Sequence, residues 1–280
     1  WRRWQAWKAA GREDETLKRL ADALVSARES GRLAFLPCVI VGDPDAETSL
    51  DVALTLAREG ADLLGLEVPF SDPLGECDLL RRAGRRAIAG GMNLGRVLEL
   101  VQEVRRESSI PVVLFTWFNP VHRRGLPVFA EQAARAGVDG VLVPDLPPEE
   151  GMEYRRALSA TGLDPVFMLS STSGPERARL VADVTGGLIC YAPGAGARGD
   201  EDELPGGLRQ EVARIRLAGN LPVAVDAGIV SRKQVEGLGG AADAVVLRRA
   251  MARCAEKSSR REETVEAVRA CLLELMGKAR

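Results

Sequence analysis

Histidine is almost missing from this chain: His122 is the only one in 280 residues. A zinc site built from clustered histidines is thereby excluded, and any Ser/His or Cys/His dyad would rest on one side chain. The five cysteines, Cys38, Cys77, Cys190, Cys254 and Cys271, are odd in number, widely spaced and without a Cys-x-x-Cys pair. Reduced thiols in a cytoplasmic protein are the expectation, with no metal and no cofactor. Long apolar runs are absent too. None approaches the ~20 residues of a membrane span, and the opening Trp1-Arg2-Arg3-Trp4-Gln5-Ala6-Trp7-Lys8 lacks the apolar core of a signal peptide. A net charge of -2 and a pI near 5.8 give no broad basic field. Neither nucleic acid nor membrane is therefore an expected partner, and small molecules or proteins are.

What the chain does have is 46% hydrophobic and 28% charged residues, a globular composition at a length that fits one barrel of ~250 residues. The Trp-rich start reads as an extension over 1–14 that could dock on a partner, but self-docking on the domain's own surface or fraying is the plainer reading, with a barrel domain over 15–280. Residues 15–30 space apolar positions at three and four, which predicts an amphipathic helix plugging one end of the fold. Leu33 to Val41 then reads as a buried strand, Gly42-Asp43-Pro44-Asp45 as a turn, and 46–59 as a helix.

The same unit recurs. Strands are predicted at 63–68, 111–116, 140–143, 165–169, 187–191, 222–225 and 244–247, separated by helices at 78–89, 94–107, 127–136, 149–161, 175–184, 203–218 and 231–237 and followed by helices at 250–257 and 262–276. Each strand is short and apolar throughout, as in a parallel sheet covered on both faces. Eight such units in one chain, with no linker, predict an α/β fold: a single-domain (βα)8 TIM barrel with an extra N-terminal helix.

In such a barrel the site is built from the loops after the strands. The polar or reactive candidates there are Cys38, Glu67, Asp72, Glu76, Trp117, Asn119, Asp145, Tyr191, Arg198, Asp226, Arg248 and Arg249. The centre of interest is Leu64-Gly65-Leu66-Glu67-Val68-Pro69-Phe70-Ser71-Asp72-Pro73-Leu74, a buried strand stopped by Pro69, which has no N–H to extend a ladder. Strand periodicity puts Gly65 and Glu67 on one face. A carboxylate at an apolar barrel mouth suits general acid/base work; equally, Glu67 could pair with Arg248 or Arg249 and simply close the barrel top.

The stretch Val68-Pro69-Phe70-Ser71-Asp72-Pro73-Leu74 resembles the signature loop of the tryptophan synthase α subunit family. Val41-Gly42-Asp43-Pro44-Asp45, Phe118-Asn119-Pro120, the run from Ala136 to Glu150 and Gly196-Ala197-Arg198-Gly199 extend the resemblance from about Leu33 to the last helix. It implies a (βα)8 barrel that splits indole-3-glycerol phosphate into indole and glyceraldehyde 3-phosphate in a retro-aldol step, and passes the indole to a pyridoxal-phosphate β subunit. A β-type subunit is thus an implied partner, met by the loop over 69–78, and an indole-type compound the implied substrate.

Carried over residue by residue, the resemblance also marks departures. The family's proton-transferring glutamate falls on Gly65. Glu67 holds a family glycine position on the same face, ~7 Å further along the strand. Glu76 stands for the family's aspartate at the ring nitrogen, and Asp72 matches an aspartate of the loop, so Glu67, Glu76 and Asp72 are the implied catalytic acids. The implied substrate-binding set is Cys38, Trp117 and Cys190 for family aromatics, Asp145, and at the phosphate end Gly196, Arg198, Gly199, Asp226, Gly228, Arg248 and Arg249. The two arginines could clamp an anion, or fill the cup and pair with Asp226 and Asp243. Three functions follow: an α-type lyase with a displaced acid, a silent α-type protein that binds a β-type subunit, or a barrel lyase turned to another substrate.

Overall fold

The computed structural model describes residues 19–194, 203–219, 221–257 and 260–278. The expected extension over 1–14 and the sixth-loop residues Gly196, Arg198 and Gly199 lie outside them.

The strands are β1 (Ala34–Ile40), β2 (Leu64–Glu67), β3 (Val112–Phe115), β4 (Gly140–Leu142), β5 (Asp164–Val166), β6 (Met168–Ser170), β7 (Ile189–Ala192), β8 (Val223–Val225) and β9 (Ala244–Leu247). The helices are α1 (Arg19–Glu29), α2 (Ala46–Arg58), α3 (Asp78–Ala89), α4 (Leu94–Glu107), α5 (Phe118–Arg124), α6 (Leu126–Ala136), α7 (Met152–Ala160), α8 (Pro175–Val184), α9 (Leu208–Gly219), α10 (Arg232–Leu238), α11 (Arg248–Ala255) and α12 (Arg261–Met276). All strand pairs are parallel, in the order β5-β4-β3-β2-β1-β9-β8-β7-β6. The two ends of that order are consecutive in the chain. The segment predicted as one fifth strand divides at Phe167, its first half pairing with β4 and its second with β7. Pro165 has no N–H for the ladder, which thins the hydrogen bonding just where the barrel closes.

Alternate strand residues point inward. Leu36, Cys38, Phe115, Cys190, Ala224 and Val246 belong to one buried interior cluster, and Leu20, Leu24 and Ala27 of α1 join it from below. The helix predicted as a plug is therefore one, while the remaining apolar side chains form the outer layer between strands and helices.

The lower rim is held by three carboxylates placed just before strands. Asp62 accepts from the Phe35 N–H at 2.9 Å, Asp139 from Val112 at 2.7 Å and Asp243 from Val223 at 2.9 Å. Each also carries an arginine: Arg32, Arg105 and Arg216 at 2.6, 2.5 and 2.6 Å. Asp243 is thus committed to the lower end and is no partner for Arg248 or Arg249. Burial brings Arg105 down to about 10.

At the upper end two element boundaries matter. An extra short helix, α5, follows Trp117, and α11 begins at Arg248, two residues earlier than its spacing predicts.

Candidate active site

Glu67 ends β2, opposite Ile40 of β1 and Phe115 of β3. As the period of two predicts, it shares the inward face with Gly65, which lies opposite Cys38. A Cβ on residue 65 would fall 2.3 Å from Cys38 Sγ and 3.0 Å from its Cβ. The thiol thus occupies the space of a side chain at 65, and the acid on this strand has to sit at 67.

Arg248 follows Ala244 and Val246 on the inward face of β9 and opens α11. Its guanidinium grips Glu67 with two bonds, Nε to Oε1 at 2.7 Å and Nη2 to Oε2 at 2.8 Å. Nη2 also donates to Glu76 at 2.6 Å, and Nη1 lies 3.5 Å from Asp226. The guanidinium carbon stands 5.7 Å from the centre of the Phe115 ring. These four charged side chains are only 8 to 13% exposed. In so dry a setting the paired geometry, rather than surface Coulomb attraction, decides their energy.

Three carboxylates around one guanidinium leave an excess of negative charge. Burial pushes the Glu76 carboxyl up, Arg248 opposing and the Glu67 charge adding to the rise. Asp226 is raised by burial in the same way, against Arg248 and a hydrogen bond from the Gly228 N–H. For Arg248 burial works against the charge, but the three acids outweigh it and hold its pKa well above the ordinary arginine value.

Above the cluster lies a cavity of about 280 Å³, its walls including Trp117, Met168, Glu76, Asp226, Arg248 and Arg249. Trp117 stacks on Phe70 with ring centres 5.8 Å apart, giving the cavity a flat aromatic side. Glu67 is not among its lining residues: Arg248 stands between them. Gly228 does line it, beside the Arg249 side chain.

Other predicted site residues lie elsewhere. Cys38 and Cys190 sit in the barrel interior, and burial raises both thiols. Asp145 accepts the Phe118 N–H at 2.9 Å, fixing the turn into α5. Asp72 and Asn119 are exposed, and Tyr191 packs in the outer layer. The sequence pointed to neither Phe115 nor Met168 at the site; Phe115 was within reach of the parity argument, being Glu67's register partner, whereas Met168 emerges only from the division of the fifth strand. Among the described residues no group of three or more His, Cys, Asp or Glu could hold a metal ion.

The family model for the tryptophan synthase alpha chain matches residues 24–279. The chain belongs to the tryptophan synthase alpha chain family. It is 41% identical over 232 residues to the tryptophan synthase alpha chain of Dechloromonas aromatica (strain RCB), covering 82% of this chain and 87% of that one. It is 39% identical over 241 residues to that of Geobacter sp. (strain M21), covering 86% and 90%. Among solved structures, Mycobacterium tuberculosis tryptophan synthase superposes with a TM-score of 0.86 at 28% identity over 94% of this chain and 98% of that one. The tryptophan synthase α2β2 complex of the hyperthermophile Pyrococcus furiosus does so with a TM-score of 0.83 at 31% identity, over 87% and 98%. The TIM barrel of this alpha chain relative is thus shared with those solved structures.

Proposed function

We propose that this chain is a carbon–carbon lyase of tryptophan biosynthesis, cleaving indole-3-glycerol phosphate to indole and glyceraldehyde 3-phosphate through an altered acid set. In a retro-aldol cleavage a proton is delivered to the indole carbon, another leaves the side-chain hydroxyl, and the bond between them breaks with its electron pair passing to the ring. That needs one protonated and one ionised group. The observation that carries the reading is the position of Glu76: it lines the same cavity as Trp117 and has its carboxyl raised by burial. Asp226 is the second acid lining this cavity. Glu67, behind Arg248, serves in this scheme to aim the guanidinium, which stabilises the oxyanion as it forms.

A β-type subunit is the proposed partner, docking on the loop over 69–78, whose Leu74 is 75% exposed. A cytoplasmic setting goes with five free cysteines.

One observation favours a second reading, that of a silent α-type subunit. Arg248 takes both oxygens of Glu67 and one of Glu76, and Asp226 sits on the Gly228 N–H, so all three acids are engaged by groups of the chain itself. Indole release from indole-3-glycerol phosphate, followed with the isolated protein and again with a β subunit, separates the two. Release that is stimulated by the β subunit supports the lyase. Binding of the β subunit with no indole under either condition would support the silent subunit.

A further inference from the structure

Two thiols lie outside the barrel mouth and have no part in that chemistry. Cys254 is in the last turn of α11 and Cys271 midway along α12, two helices that pack against each other. Cys271 Sγ lies 3.9 Å from the carbonyl oxygen of Ala250, which is one helical turn before Cys254 on the same face of α11, so the two side chains sit side by side. Both are partly accessible. Cys38 and Cys190, by contrast, are sealed in the barrel interior.

The surroundings separate the roles of the pair. The Cys271 hydrogen bond brings the Cys254 thiol down to about 7; burial opposes this, Lys257 and Arg253 add to it, and Glu274 of α12 works against it. Cys271 is pushed up by the same bond and by burial. A thiolate is the form that attacks an oxidant, and a neighbouring thiol in contact is what resolves the product.

We propose that Cys254 and Cys271 form a peroxide-responsive dithiol, with Cys254 attacking and Cys271 resolving. The Cys254 thiolate attacks one oxygen of hydrogen peroxide; the O–O bond breaks, leaving a sulfenic acid on Cys254 and hydroxide, which takes up a proton to become water. The Cys271 sulfur then displaces the sulfenic oxygen, which leaves with a proton as a second water. Two thiols and one peroxide thus give one disulfide and two waters. The disulfide brings the two sulfurs to ~2.05 Å. The cross-link ties the last turn of α11 to α12, fixing the helix whose first residue is Arg248.

The test is peroxide treatment of the full reduced chain near neutral pH, read by thiol titration, intact mass and peptide mapping. The expected result is loss of two of the five thiols, a mass lower by two hydrogens, and one mapped disulfide joining Cys254 to Cys271, all reversed by a dithiol reductant. In Cys271→Ser a sulfenic acid on Cys254, trapped by a dimedone probe, replaces the disulfide. Oxidation of Cys254 directly to sulfinic acid in the unaltered chain, a disulfide joining any other pair, or retention of all thiols would each overturn the proposal. The unaltered chain alone is decisive, so the test does not depend on the variant folding.

Discussion

The Arg248 guanidinium lies in a two-bond grip on the Glu67 carboxylate, 2.7 and 2.8 Å, joining the last strand of the barrel to the second across β1. Glu76 and Asp226 meet the same guanidinium. The grip turns the displaced acid of β2 into a support for a cation, and it leaves Glu76 and Asp226 as the acids facing the cavity.

Removing the cation strands three buried carboxylates. Arg248→Met should destabilise the chain by ~3–5 kcal/mol at neutral pH, the cost of leaving buried charge uncompensated. The penalty should depend on pH. Burial raises Glu76 and Asp226 in the folded chain, and Arg248 is what opposes the rise. Without it, protonated carboxyls favour the fold below the ordinary carboxyl range near about pH 4, and this stability is lost as pH rises through their raised folded values. The gap in Tm between the variant and the unaltered chain should be wider at about pH 8 than at about pH 5. Equal gaps would show that the carboxyls do not feel the guanidinium.

Glu76→Gln should lower the rate of indole release by ~10²-fold or more with little change in KM, the usual cost of losing a proton-transfer group. Glu67→Gln, which keeps the shape and removes charge from the support, should cost less. Activity should also decline on the alkaline side as the raised Glu76 carboxyl loses its proton. Near-full turnover in Glu76→Gln would remove it from the chemistry.

Asp226 occupies the Gly228 N–H with a carboxylate of the chain itself. Glycerol phosphate should therefore bind weakly, and Asp226→Gly should tighten it by about tenfold, the worth of one freed amide donor to an anion. Calorimetric titration measures both. A crystal soaked in sulfate that seats an anion between the loops after β7, β8 and β9 without the substitution would refute the self-filled cup.

Gly65→Ala should cost about 1–3 kcal/mol through overpacking against Cys38. Cys38→Ala in the same chain should recover part of that loss, because it removes the sulfur that would lie 2.3 Å from the added methyl carbon and leaves a Cβ at 3.0 Å. Urea unfolding of the four chains gives the coupling. Strict additivity would mean that the two positions do not compete for space.

Leu74→Asp should leave the thermal transition unchanged and weaken association with a β-type subunit by about tenfold, the range of an interface anchor. Titration calorimetry against a β subunit reads this; equal affinity would place the contact away from the loop over 69–78.

The sequence by itself determined the barrel, because strand and helix periodicities are local. Each short apolar segment, followed by a helical stretch, could close only with its neighbours in a parallel sheet. It also determined that Glu67 shares a face with Gly65, since parity along a strand needs nothing beyond the strand; that this face is the inward one came from the closed barrel. Tertiary structure decided who meets whom. Arg248 and Glu67 are 181 positions apart, and a long side chain can reach any acid around a mouth, so sequence left open whether an arginine there would hold an anion or a carboxylate of the chain itself. Closure of β9 beside β1 settled that in favour of Glu67, with Glu76 also bonded at 2.6 Å and Asp226 at 3.5 Å. The division of the fifth strand, the thiol of Cys38 filling the space above Gly65 and the contact of Cys254 with Cys271 were hidden for the same reason: each is a matter of which surfaces are pressed together once the sheet has curved shut, and no local pattern encodes that.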